Sequence, residues 1–187
     1  MKLIDNVKVY GLDESVKASK YPMAVYTDEC DSTVTETTRR LGRCATGTGH
    51  DNFLNGIIVQ FDLSFSIKAW VEAERYHFFE FVSSQSTMHR AAKFSIGAQC
   101  NSYVSRITIG VVNTLVDTYN DNPTTENYLK LLYNIPVGFR LTARMSTNYR
   151  QLKTIYYQRR NHRLPEWREF CAWCETLPKF KEIVIDG

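Results

Sequence analysis

The stretch IIVQFDLSFSI, residues 57–67, constrains this chain more than any other. Ile57, Val59, Phe61, Leu63, Phe65 and Ile67 fall on one side, and Gln60, Asp62, Ser64 and Ser66 on the other. A period of two held over eleven residues is a strand with one face in a core. VGFRLTARMS (137–146) alternates in the same way, setting Val137, Phe139, Leu141, Ala143 and Met145 against Arg140, Thr142 and Arg144.

Between and around these strands the sequence reads as helix. STVTETTRRLG (32–42) is expected to be a short helix, with Thr33 and Glu36 spaced as a capping box. KAWVEAERYHFFEFVSSQ (68–85) has strong helix formers and no Gly or Pro, which predicts one continuous helix. Further helices are expected over 101–119, through Leu131 and Leu132, after a Thr147 cap, and from Pro165 onward; residues 1–23 suggest a strand and a turn. Strands and helices in this order predict a single domain over 1–187, either α+β or α/β with a mixed sheet.

Composition narrows the class. At 43% hydrophobic and 23% charged residues the chain reads as a globular protein, and a net charge of +3 does not argue for nucleic acid. No stretch approaches a membrane span, and the apolar start of MKLIDNVKVY is broken by Asp5, Asn6 and Lys8, so no signal peptide is expected. Five cysteines, an odd number, predict reduced thiols and a cytoplasmic location. Cys171 and Cys174 have no second pair with which to build a metal site, and are read as buried helix residues.

Two features carry chemistry. SSQSTMHRAAKFS (83–95) sets His89-Arg90 behind a run of small polar residues, either as a solvated helix end or as an anion holder. From Asn127 to Pro165 there is no Asp or Glu, while Lys130, Arg140, Arg144, Arg150, Lys153, Arg159, Arg160 and Arg163 all lie in that window. Guanidinium forks suit phosphate and carboxylate, so this segment is either a basic surface or an anion site. There is no P-loop and no dinucleotide glycine motif.

Three blocks, in order, resemble the flavin-dependent thymidylate synthases, which methylate dUMP from methylenetetrahydrofolate with FAD as hydride carrier. GHDNFLNG (49–56) resembles that family's G-H-x-S/T-x-x-E-H in Gly49 and His50, with Asn52 for Ser or Thr, Asn55 for Glu and Gly56 for His. Upstream, AVYT (24–27) is similar to its A-R-x-S, with Thr27 for Ser. QSTMHR (85–90) resembles Q-x-x-R-H-R in Gln85, His89 and Arg90, with Met88 for the first Arg. Ile135-Pro136, Asn148 and Arg150 stand for L-P and N-x-R, and Arg159 stands where the family carries the Arg that polarises the pyrimidine. The stretch after Arg90 lacks the family's Glu; Asn101, Ser105 and Arg106 match its grip on the nucleotide phosphate only across an insertion.

The resemblance implies the α+β fold of that family, a mixed or antiparallel sheet packed with long helices, together with FAD as cofactor, dUMP or a related pyrimidine nucleotide as substrate, folate as carbon donor, and a homotetramer with sites shared between subunits. It assigns Thr27, His50, Asn52, His89, Arg90, Asn148 and Arg150 to FAD, and Gln85, Arg106 and Arg159 to the nucleotide, with Arg159 catalytic; no metal is implied. Two other readings stay open: a non-catalytic member of the same fold that binds a nucleotide or a partner, and a nucleic-acid binder using the basic window.

Overall fold

A computed structural model describes residues 1–185. Four strands, β1 (Ile4–Tyr10), β2 (Ile58–Ser66), β3 (Phe79–Ser84) and β4 (Arg140–Asn148), form one antiparallel sheet in the order β1-β2-β4-β3. The helices in chain order are α1 (Leu12–Ala18), α2 (Glu36–Arg43), α3 (Ile67–Ala73), the one-turn α4 (Thr87–Arg90) and α5 (Ile96–Gln99), α6 (Arg106–Asp121), α7 (Thr125–Asn134), α8 (Tyr149–Arg159), α9 (Pro165–Cys174) and α10 (Phe180–Val184). The α+β expectation holds, and the sheet is antiparallel throughout.

The alternation in β2 does what it predicts. Val59, Phe61, Leu63 and Phe65 are fully buried, and their face lies under α8 and α9. Phe61 meets Trp173 at 4.6 Å between ring centroids, and Phe65 meets Trp167 at 4.8 Å, edge to face. β4 adds Ala143 and Met145 to this core, and α8 adds Tyr149, Leu152, Ile155 and Tyr156. On the other face Ser64 and Thr142 share a hydroxyl hydrogen bond of 2.7 Å, and Arg144 pairs with Asp62 at 3.3 Å. A second cluster, built on Ile96, Val112, Leu131 and Phe139, holds the α6–α7 hairpin.

Three local expectations are corrected. The helix predicted over 68–85 stops at Ala73; a turn follows, and residues 79–84 become edge strand β3 on β4. Phe79 is buried against Phe61 and Phe170, so non-local ring packing outweighs the local helix propensity. The capping box of α2 uses Thr35 and Thr38, whose backbone N–H groups and hydroxyls bond reciprocally at 3.2 and 3.3 Å, not Thr33 and Glu36. β4 runs two residues further than predicted, so Asn148, not Thr147, caps α8, its Oδ1 accepting from the Gln151 N–H at 2.8 Å. Among the described residues, no helix is long and apolar enough to cross a membrane. All five cysteines are free, with Cys171 and Cys174 buried in α9 as expected, and burial pushes the Cys171 thiol up to about 12.

Gly42 shows how tightly α2 meets α10. A Cβ there would lie 2.3 Å from the Ile183 carbonyl oxygen and 2.6 Å from its Cγ2. Gly→Ala inside an exposed helix usually stabilises, by about 0.5–1 kcal/mol. Gly42→Ala is expected to destabilise instead, by about 1–3 kcal/mol, through overpacking. Urea unfolding of both proteins gives the sign directly.

Candidate functional site

α8 organises the basic segment. In its first two turns Arg150 and Lys153 converge on one carboxylate: Arg150 Nε donates to Asp51 Oδ1 at 2.9 Å, and Lys153 Nζ donates to Asp51 Oδ2 at 2.8 Å and to the Cys44 carbonyl at 2.6 Å. Asp51 and Lys153 are 1% and 3% exposed. Burial of these charges is tolerated because each is paired and hydrogen-bonded. The pair fastens loop 44–52 to α8; in that loop Gly47 and Gly49 take positive φ, and His50 and Asn52 point outward on either side of Asp51. Asp51, at a position of the block GHDNFLNG to which no role was assigned, thus sets its neighbours His50 and Asn52 beside the start of α8, which Asn148 caps.

At the other end of α8, Arg159 is held within its own chain. Its Nε donates to the Tyr76 hydroxyl at 2.7 Å and its Nη1 to Glu72 Oε2 at 3.0 Å. The guanidinium lies over the Tyr76 and Trp167 rings, 5.5 and 5.1 Å from their centroids. His162 completes the cluster. The Leu164 N–H donates to its Nδ1 at 3.2 Å, while its Nε2 lies between Arg159 Nη1 at 2.8 Å and Glu72 Oε2 at 3.2 Å. Burial lowers the His162 pKa below the ordinary 6.5, with Arg159, Arg168 and Lys68 acting in the same direction and Glu72 opposing.

The third group follows β3. Gln85 extends the ladder: its backbone N–H donates to the Thr142 carbonyl, and its Oε1 accepts from the Thr142 N–H, both at 2.9 Å. α4 then presents His89 and Arg90 to solvent. This turn is bracketed by the Tyr128 hydroxyl of α7, which donates to the Thr87 carbonyl at 2.9 Å and accepts from the Ala91 N–H at 3.3 Å. Thr27 is exposed in a short 3-10 turn and Arg106 is exposed at the first residue of α6; neither makes a hydrogen bond to another matched residue. Arg150 and Arg159 lie nine residues apart, about 13 Å along the helix at about 1.5 Å per residue.

The acid-free window is not uncompensated. Lys130 pairs with Glu126, Arg144 with Asp62, Arg150 and Lys153 with Asp51, and Arg159 with Glu72. Arg160 lies over the Tyr156 and Tyr157 rings. Apart from Glu126, which shares α7 with Lys130, these acids come from other elements, so the segment is largely a set of inter-element clamps and not a bare basic surface. Sequence reading missed Asp51 and Glu72. The available signal was the window itself, since so many half-buried cations require acids from somewhere.

The four-stranded antiparallel sheet with its covering helices has the fold of the flavin-dependent thymidylate synthases. The structure of ThyX from Helicobacter pylori complexed with FAD and dUMP matches with a TM-score of 0.76 at 14% sequence identity, over 99% of this chain and 98% of that one. A second H. pylori ThyX structure with FAD and dUMP matches with a TM-score of 0.76 at 15% identity, over 100% and 98% of the two chains. No family model matches the sequence, and no curated protein does. The donor set fits an anionic cofactor in part: His50, His89 and Arg90 are exposed and form no ion pair among the described residues, whereas Arg150 already holds Asp51.

Two outcomes follow. Asp51→Ala leaves the Lys153 ammonium buried without its carboxylate and is expected to cost about 3–5 kcal/mol in urea unfolding; a loss below about 1 kcal/mol would mean that the Cys44 carbonyl alone suffices. His162 has a lowered folded pKa, so the unfolded chain takes up its proton first as pH falls. Its contribution is therefore present above 6.5 and is lost as pH drops through the folded value. Unfolding midpoints from about pH 7.5 to about pH 5 should fall less in His162→Gln than in the parent.

Proposed function

We propose that the chain binds FAD and transfers a one-carbon unit from methylenetetrahydrofolate to dUMP, or to a related pyrimidine nucleotide, as a cytoplasmic homotetramer. The observation that carries this reading is the full-length match in fold. FAD, when bound, supplies the hydride. His89 and Arg90 give the cofactor's pyrophosphate cationic donors, and His50, Asn52 and Thr27 give it further polar contacts. Arg150, with Lys153, carries loop 44–52 and so fixes where His50 and Asn52 stand, and Asn148, capping α8 beside it, gives the cofactor a further polar contact. Gln85, its oxygen engaged by Thr142, offers its amide N–H groups to the nucleotide, and Arg106 offers a cation to its phosphate. Arg159, oriented by Glu72 and Tyr76, stabilises negative charge on a pyrimidine carbonyl.

One observation favours a second reading, a non-catalytic member of the fold. Arg159 and Arg150 both have in-chain carboxylate partners, and Met88 stands where the resemblance expects an Arg.

The visible absorption of the purified protein, before and after adding FAD, separates the two. The first reading expects an oxidised-flavin spectrum near one per chain, weakened at least about tenfold in FAD affinity by joint substitution of His89→Ala and Arg90→Ala. It also expects Arg159→Ala to abolish dUMP turnover while flavin remains bound. A colourless protein in excess FAD overturns it.

A further inference from the structure

The orientation of Arg159 hangs on two of its three nitrogens. Nε donates to the Tyr76 hydroxyl, and Nη1 meets both Glu72 Oε2 at 3.0 Å and His162 Nε2 at 2.8 Å. The Tyr76 and Trp167 rings lie against the guanidinium. Nη2 makes no hydrogen bond among the described residues and is not one of their buried unpaired atoms, so its two N–H groups are open to a ligand.

His162 is the member of this set whose hydrogen-bonding character changes with pH. Its Nδ1 faces one donor, the Leu164 N–H, and its Nε2 faces another, Arg159 Nη1. A neutral imidazole has one acceptor nitrogen and satisfies one of these donors; an imidazolium has none and opposes both. Protonation also sets a second full positive charge beside Arg159 and gives Glu72 Oε2, 3.2 Å from Nε2, a competing cation. The other oxygen of Glu72 already faces Lys68, at 3.6 Å. Glu72 Oε2 is therefore the atom for which Arg159 and a protonated His162 compete.

Charges face His162 from each element packed around it. α3 supplies Lys68 and Glu72, α8 supplies Arg159, and α9 supplies Arg168, whose Nη1 donates to the His162 carbonyl at 2.6 Å. Burial is the largest influence on the ring and lowers its pKa from 6.5; the three cations act with it and the one carboxylate against it. The ring is not sealed. It is 22% exposed and, with Lys68, Glu72, Gln158 and Asn161, lines a cleft of about 500 Å3 through which protons reach it, whereas Arg159 does not line that cleft.

We propose that His162 and Glu72 are positioning residues for Arg159 and form a proton-sensitive catch. With the ring neutral, they hold Nη1 and leave Nη2 facing outward. With the ring protonated, Glu72 turns to His162 and the guanidinium loses its set direction. That a pyrimidine is then no longer activated rests on the function just proposed; that the guanidinium is released rests on this cluster alone. The catch is set at pH values above the folded-state pKa of His162 and is lost as pH falls through it.

Two titrations of the full chain, from about pH 8 to about pH 5, test the catch. The first follows tryptophan emission, since the guanidinium stands over Trp167. The parent is expected to show a transition below 6.5 that is absent from His162→Gln. In Glu72→Gln the transition moves to lower pH, because the charge that favours the imidazolium is gone. The second follows dUMP turnover. Below the midpoint the parent's kcat should fall about tenfold per pH unit, with the loss in kcat and not in KM, whereas that of His162→Gln should fall less than about twofold over the same interval. An emission transition that persists in His162→Gln, or that Glu72→Gln leaves in place, overturns the catch, as does a parent without a transition. The expected emission changes in a chain that does not turn over dUMP uphold the catch and remove the proposed reaction. Turnover with the same acidic limb in His162→Gln overturns the positioning role and leaves the proposed function standing.

Discussion

The β2–β4 ladder is the constraint on which the rest depends. Its nine antiparallel pairs run without a break from Ile58 opposite Asn148 to Ser66 opposite Arg140. Each end of the ladder starts a helix. Ser66 caps α3, its hydroxyl accepting from the Ala69 N–H, and Asn148 caps α8. The Tyr149 N–H still bonds the Ile57 carbonyl, so α8 leaves the sheet in a fixed direction. A slip of one residue would turn Phe61 and Met145 out of the core and displace both caps together. Arg150 and Lys153 with their partner Asp51 are positioned from the α8 corner, and Arg140 stands at the other.

Much of this frame is legible in the sequence because it is periodic. β2, most of β4, α6, α7 and α9 follow from spacing that needs no knowledge of neighbours. β3 is not legible in the same way. Residues 68–85 hold no Gly or Pro, and only the alternation of buried Phe79 with exposed Glu80 hints at a strand. Its pairing with β4 joins residues 59 to 68 positions apart, which no local window contains. The candidate site divides along the same line. The blocks holding His50, Gln85, His89, Asn148 and Arg150 could be read in order, and the fold they imply is the fold observed. Asp51 and Glu72 could not be assigned, since each acts on a residue of α8 far along the chain.

The electrostatics are those of a clamp system with a few donors left over. Half of the cations of the 127–165 window hold another element in place through an acid outside it, which explains why a chain of net charge +3 can concentrate them. His89, Arg90, Arg106 and Arg163 are exposed without an ion pair among the described residues, and Arg140 is half-buried without a hydrogen bond for its Nε. These lie on loops, helix starts and a strand end, where a rigid scaffold presents groups to ligands without giving up core packing.

The Tyr128 bracket has a mechanical consequence for the His-Arg pair. A four-residue turn is too short to hold its shape by its own backbone bonds. Here a single hydroxyl from α7 closes it at both ends, bonding Thr87 before the pair and Ala91 after it. The turn therefore cannot unwind by halves: losing that oxygen frees both ends at once. His89 and Arg90 behave as the jaw of a latch whose pin sits on another helix, and the α6–α7 hairpin acts on the pair without touching either side chain.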